Sequence, residues 1–415
     1  MSFEFPPALV MLSGALLLAL SPNTLYKWIA IVTPLLTLAA IWLFPEGSAI
    51  RTAAPWLGHD LILAKVNAPT KPFATIFAIM AFGGALFAYN QDRKLELGGA
   101  LLYSGSAIGV TFAGDLLSLF IFWELMAIGS TLVVWSAGTE AARKAGFRYV
   151  NVHLLGGAIM MAGLAFHYHD TGSLLLPKLS MGTALEDPIR MSVGNRPWLL
   201  PQLESPGAWL ILLGILINAG TPPFGSWLPD AYPEASPSGT VFLSAFTTKT
   251  SVYVLIVLFA GCEILVWAGA LMAVYGIVYA ILENDMRRIL AYSIINQVGF
   301  MVCGVGIGTG LALNGATAHA FAHIIYKALL LMSAGSVLFM TGKRKCTDLG
   351  GLYRAMPVTM WCGIIGALAI SAVPLTSGFT TKSMITDAAA QPELWAATTE
   401  VGGQTAWATM LHPAV

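Results

Sequence analysis

The chain has 415 residues, of which 57% are hydrophobic and only 10% charged, and its mean hydropathy is +0.74. That composition excludes a soluble domain and specifies an all-α, polytopic membrane helix bundle. The 21 basic and 21 acidic residues cancel, which leaves no electrostatic case for a nucleic-acid partner.

In chain order, the first apolar run, 8–20, has no basic leader and no clear small-residue cleavage site, so it reads as a retained span. Further spans are predicted at 26–44, 72–90, 95–113, 115–136, 147–168, 206–220, 239–260, 264–282, 288–309, 312–340 and 356–376. That makes about twelve, the seventh short enough to be a half-helix. Loops that follow odd-numbered spans carry twelve lysines and arginines, and loops after even-numbered spans carry six, all in the two long loops 45–71 and 169–205. By the positive-inside rule the odd loops are cytoplasmic, and the N-terminus and the C-terminal tail face outward. The long loops, rich in Pro, Gly and mixed charge, read as exterior caps. Trp28, Tyr89 and Trp135 near span ends read as interface anchors. Gly83-Gly84 and Gly98-Gly99 read as helix-packing positions. No residue-level repeat is evident between the two halves.

The fifth span is the most informative. It reads Asp115-Leu-Leu-Ser-Leu-Phe-Ile-Phe-Trp-Glu124-Leu-Met-Ala-Ile-Gly, with a single carboxylate halfway along an apolar helix. Such a group must be protonated, paired or facing water, and by default marks an ion or proton site. The bland reading is a neutral Glu124 hydrogen-bonded to a neighbouring helix. Asp115, at the helix start, is explained equally well as a cap.

Two segments look like interrupted helices: Asn218-Ala-Gly-Thr-Pro-Pro-Phe-Gly-Ser-Trp-Leu-Pro229 and Ser371-Ala-Val-Pro-Leu-Thr-Ser-Gly-Phe-Thr-Thr-Lys382. Backbone freed by proline at membrane depth is tolerated only where protein or a water cavity satisfies it, and such pairs point to transport sites. Lys249 lies too far inside its span to snorkel easily, so it reads as a proton carrier. His319, His323 and Lys327 are spaced i, i+4, i+8 and therefore share one helix face, as a proton wire would require. Two satisfied core histidines are the simpler alternative. His153 in the sixth span could extend the network, whereas His167 and His169 belong at the exterior boundary. A metal site is disfavoured, because no carboxylate accompanies the histidines. The four cysteines are scattered with no C-x-x-C pair, so neither an iron–sulfur cluster nor zinc is expected. No nucleophile–base pattern, phosphate loop or dinucleotide fingerprint is visible. The chain is not expected to be an enzyme on its own.

These motifs, taken together, resemble the antiporter-like subunits shared by respiratory complex I, Mrp-type Na⁺/H⁺ antiporters and membrane-bound hydrogenases. The resemblance runs from about residue 90 to 390. It rests on the Asp115–Met126 stretch, on Trp227-Leu-Pro-Asp-Ala-Tyr with Pro237, on Asp285-Met-Arg-Arg-Ile-Leu-Ala-Tyr-Ser with Gln297-Val-Gly, on His319, His323 and Lys327, and on Ser377-Gly-Phe-Thr-Thr-Lys382. It implies N-terminal helices over 1–90, a first repeat over 91–260, an inverted and incomplete second repeat over 261–390, and a tail over 391–415. It also implies roles. Glu124 and Lys249 resemble the charged centre of the first half, His319, His323 and Lys327 the connecting chain, and Lys382 the terminal lysine near an exit path. The implied function is translocation of H⁺, with Na⁺ as the other candidate ion and no cofactor bound by this chain. The setting would be a multi-subunit antiporter or redox-driven complex in a bacterial or archaeal cell membrane. The alternative is a non-conducting subunit that kept the fold. Asn218 stands where the family usually has a lysine partner for the glutamate, and Lys249 is a candidate substitute for that partner.

Overall fold

The computed structural model describes residues 5–52, 58–177 and 205–391. The helices are α1 (Pro7–Leu20), α2 (Tyr26–Leu43), α3 (Thr70–Phe87), α4 (Lys94–Phe112), α5 (Leu116–Trp135), α6 (Glu140–Thr171), α7 (Pro206–Ala219), α8 (Trp227–Ala231), α9 (Pro237–Ala245), α10 (Thr247–Phe259), α11 (Ile264–Leu282), α12 (Met286–Ile307), α13 (Gly310–Thr341), α14 (Pro357–Ile370) and α15 (Ser377–Ala389). Ten apolar stretches are long enough to cross a membrane, counting Pro206–Glu234 and Pro237–Phe259 as one each. The shorter α1 and α14 bring the described total to the twelve expected. The protein is a multi-pass membrane protein. Large apolar side chains such as Leu16, Trp42, Ile281, Leu282 and Val358 point outward from it, as a lipid-facing surface requires.

Element ends follow from capping chemistry. Asp115, Thr139, Ser205, Ser236, Asp285 and Thr309 each accept a backbone N–H of the helix they begin. Gly172, Gly220, Gly308 and Gly342 end helices in the left-handed conformation that glycine adopts without steric cost. α6 begins earlier than its apolar window because Thr139 caps it and Arg143 pairs with Glu140 at 2.7 Å, a polar turn that hydropathy does not register.

Two differences from the sequence reading matter. The span expected over 239–260 is broken at Phe246 into α9 and α10, with no glycine or proline at the break to announce it. Arg287, which the sequence places in a loop, is buried. Its guanidinium donates to the carbonyls of Pro233 (2.8 Å), Ala235 (2.8 Å) and Ser236 (2.9 Å), and to the Thr240 hydroxyl.

The first long loop forms a small antiparallel hairpin, β1 (Ala49–Arg51) with β2 (Ile62–Lys65), pinned to the α4–α5 corner. The Ile62 N–H donates to Asp115 Oδ2 at 2.6 Å and the Gly114 N–H donates to the Ile62 carbonyl at 2.9 Å. Gly114 has to be glycine here, since a Cβ would come within 2.3 Å of the Ile62 side chain. Most of the second loop and of the tail, 178–204 and 392–415, lies outside the described residues.

A repeat that the sequence does not display is plain in the capping. Asp115 and Asp285, Thr139 and Thr309, and Gly172 and Gly342 lie 170 positions apart and do the same jobs. α6 and α13 each have 32 residues. Asp115 bridges to Leu175 and Asp285 to Lys345 in the same antiparallel way. Five spans lie between the starts of α5 and α12, so the two units cross the membrane in opposite senses.

Candidate functional site

The expected site residues lie on the helices that line and interrupt the two units. Glu124, half-buried on α5, faces Gly157 of α6, while the neighbouring Gly156 faces Asn218 and Gly214 of α7. Its Oε1 is buried without a hydrogen-bond partner, and a Cβ on Gly157 would come within 1.9 Å of that atom. The glycine therefore makes room for the carboxylate. Gly157→Ala should displace Glu124 and lower any transport that depends on it by about tenfold or more, measurable as ion flux in vesicles, with helix content and assembly unchanged.

Asn218 sits at the end of α7, 1% exposed, with both amide atoms unpartnered. Beyond it the helix stops at Gly220 and the chain passes through Pro222-Pro223 before α8 resumes at Trp227. Trp227 folds back and its indole N–H donates to the Ile217 carbonyl at 3.0 Å, satisfying backbone that the break sets free. Gly225 packs on Gly220, where a Cβ would meet the Gly220 carbonyl oxygen at 2.1 Å. His153 stacks on Tyr149 with ring centroids 4.0 Å apart and lies edge-on to Trp227. Its Nδ1 is 2.9 Å from the Tyr149 carbonyl and its Nε2 has no partner.

Lys249 is fully buried in the first turn of α10. The break at Phe246 supplies its partner: Nζ donates to the Ser244 carbonyl at 2.7 Å and to Thr248 Oγ1 at 3.1 Å. Lys249 makes no ion pair with Glu124 among the described residues, so it does not take the place of the missing lysine in this structure.

In the second unit His319, His323 and Lys327 do share one buried face of α13. The two imidazoles lie parallel at 6.1 Å. His319 Nδ1 is 2.8 Å from Thr381 Oγ1, and its Nε2 is unpartnered. Neither ring nitrogen of His323 has a partner. Lys327 Nζ donates to Ser293 Oγ at 2.9 Å. Lys382, on α15 just past the second break, donates to the Ile370 carbonyl at 2.7 Å and lies 5.2 Å from the centre of the Phe300 ring. Residues 371–376 between α14 and α15 include Ala372 and Leu375 at positive φ, a strained turn for residues other than glycine. Thr381, which His319 contacts, is the neighbour of Lys382 on α15, so α13 and α15 meet at this file. Glu124, Asn218 and His153 form a separate group around α6. Among the described residues no three His, Cys, Asp or Glu side chains converge to hold a metal ion.

Several polar residues here escape sequence reading. Tyr103, Tyr149 and Tyr232 are fully buried, and the Tyr103 and Thr247 hydroxyls meet at 2.5 Å. Gln297 accepts from the Tyr326 hydroxyl at 3.0 Å. Isolated hydroxyls in apolar helices carry no periodic signal. Glu96 falls at the start of the span expected over 95–113, where nothing in the sequence marks it as buried.

Residues 113–405 match the family model described as NADH:quinone oxidoreductase/Mrp antiporter, transmembrane. The chain belongs to this family. An NADH-quinone oxidoreductase subunit of Desulforudis audaxviator is 30% identical over 348 residues, 79% of this chain and 66% of that protein. A Na⁺/H⁺ antiporter subunit of Alkalihalophilus pseudofirmus is 30% identical over 289 residues, 66% of this chain and 55% of that protein. The chain thus spans 55–66% of the length of these relatives. Among solved structures, a chain of the archaeal membrane-bound sulfane sulfur reductase superposes with a TM-score of 0.79 at 26% identity, covering 99% of this chain and 67% of that one. A chain of the Mrp complex from Dietzia superposes with a TM-score of 0.78 at 23% identity, covering 99% and 76%, which establishes a common fold. The chain is an antiporter-like membrane protein of the family that the complex I and Mrp subunits share.

Proposed function

We propose that this chain translocates protons as one membrane subunit of a larger assembly, with Na⁺ as the candidate exchanged ion. The observation that carries the proposal is the buried face of α13, where His319, His323 and Lys327 stand in file, both nitrogens of His323 are free, and His319 meets Thr381, the neighbour of Lys382. Buried polar groups are normally satisfied. A file of titratable groups held by single hydroxyls and helix-end carbonyls is arranged to exchange protons, because moving one charge changes the proton affinity of the next. Glu124, with Asn218 and His153 around it, forms the corresponding group of the first unit. The partners would be other membrane subunits of an Mrp-like or redox-driven complex, in a bacterial or archaeal cell membrane with the N-terminus outside. The chain itself would bind no cofactor.

One observation favours the rival reading of a non-conducting scaffold: Asn218 offers Glu124 no ammonium with which to exchange charge. The test is proton flux. The assembly is purified under mild conditions, its subunits are identified by mass spectrometry, and it is reconstituted in vesicles carrying a pH-sensitive dye. Flux driven by a Na⁺ gradient or by the complex's own redox reaction supports translocation. An intact assembly that moves no protons under either drive, while its other subunits function, supports the scaffold.

A further inference from the structure

We propose that Glu96 is the carboxylate through which the first unit takes up its proton, loading from a water-accessible cavity beside the α3–α4 connection. The inference deepens the proton-translocation reading above and rests on it.

Glu96 lies in the first turn of α4 with no exposed surface. Its partners are three serine hydroxyls. Oε2 accepts from Ser236 at 2.6 Å and from Ser136 at 3.1 Å, and Oε1 accepts from Ser238. No cation pairs with it among the described residues. Two guanidinium groups are held one step back: Arg93 donates to the Ser136 carbonyl at 2.6 Å and Arg287 to the Ser236 carbonyl at 2.9 Å.

The hydroxyls are not equivalent. Ser236 caps α9, accepting the Gly239 N–H at 2.8 Å, and its own proton can go to Glu96 or to the Ser238 oxygen 3.3 Å away. Ser238 has one proton and three acceptors in reach, Glu96, Gln91 Oε1 at 3.0 Å and the Ser236 oxygen. Ser136 likewise has Glu96 and the Val133 carbonyl, at 2.7 Å. A hydroxyl that can turn between two acceptors, and that accepts as well as donates, is what a relayed proton needs.

Ser136 lines a cavity of about 580 Å³ together with Gln91, Asn90, Arg93, Lys94 and Phe339, and Ser238 reaches that wall through its bond to Gln91. Glu96 therefore sits one hydrogen bond behind the cavity wall. Inward, Tyr103 lies two turns along the same face of α4, and its hydroxyl meets Thr247 at the break beside Lys249. The rise between Glu96 and Tyr103 is about 10 Å, and the proposed transfer crosses it through bound water. Cavity water gives a proton to a serine oxygen as that serine's own proton moves to the Glu96 carboxylate. The acid so formed gives it up inward, toward the Lys249 amine, and the serine rotor resets. No bond other than O–H and N–H changes and no redox partner is needed.

The test uses the purified assembly in proteoliposomes with a pH-sensitive dye. Glu96→Gln keeps the size, its amide oxygen still accepts and its NH2 donates to a serine oxygen that must turn to receive it, but it cannot carry a proton, and should lower flux at least about tenfold, with Glu96→Asp partly restoring it. Independently, Asn90→Cys labelled with a bulky maleimide should block flux by filling the cavity, while the same label on the wild-type chain, whose Cys346 is exposed, should not. Glu124→Gln is measured alongside. If Glu124→Gln abolishes flux while Glu96→Gln and the labelled Asn90→Cys both leave it unchanged, the intake role is overturned and Glu96 only anchors α9. If Glu124→Gln is also silent, the translocation reading beneath it fails. Should Glu96→Gln not assemble, the labelling result decides.

Discussion

Lys327→Met and Glu124→Gln are each expected to lower proton flux by about 100-fold while leaving the assembly intact. Lys327 is fully buried and held by one hydroxyl, that of Ser293, so an unbranched apolar side chain of similar length fills its place with little strain and removes only the titratable amine. Glu124→Gln keeps the shape that Gly157 accommodates and removes only the exchangeable proton. Flux is read in reconstituted vesicles and assembly by native gel and thermal unfolding. Full activity in both variants would discard the proton file. Loss of assembly in both would mean that the two groups serve the fold rather than transport.

The second large effect concerns stability. Arg287→Met should destabilise the folded chain by about 3–5 kcal/mol. The guanidinium holds three carbonyls at 2.8–2.9 Å across residues 233–236, where α8 has ended and α9 has not begun. Without it those acceptors stay buried and unpaired. Arg287→Lys should recover only part of the loss, because an ammonium lacks the planar fork that reaches several carbonyls at once. Thermal unfolding of the purified assembly in detergent measures both variants. A midpoint within about a degree of wild type for Arg287→Met would refute the role. Because the arginine on α12 clamps a turn of the first unit, its loss should also loosen the seam between the units, visible as faster proteolysis around residues 232–236.

Membrane proteins make much of this legible in the residues. The twelve spans follow from hydropathy, since lipid demands long apolar helices and little else. The intramembrane charges stand out for the same reason, and α13 does place His319, His323 and Lys327 on one buried face. Three features stay hidden. The break at Phe246 carries no proline or glycine, and is seen only through the Ser244 carbonyl that it frees for Lys249. Glu96 sits at the polar start of the span expected over 95–113, just after Gln91, Asp92, Arg93 and Lys94, and so does not stand out, yet three serines from distant segments hold it buried. The internal repeat is written in caps, Asp, Thr and Gly, a handful of positions among helices that have otherwise diverged, and so falls below what pattern matching can find.

That repeat carries a further meaning. The frames of the two units agree position by position, but their linings do not. Where the first has Tyr149, His153 and Gly157 along α6, the second has His319, His323 and Lys327 along α13. A duplicated scaffold inserted upside down and furnished identically would be a palindrome, with no means of telling left from right in the plane of the bilayer. Furnishing the copies differently breaks the palindrome, and the molecule acquires a heading: where the first copy has Gly157, making room for a carboxylate, the second has the amine of Lys327.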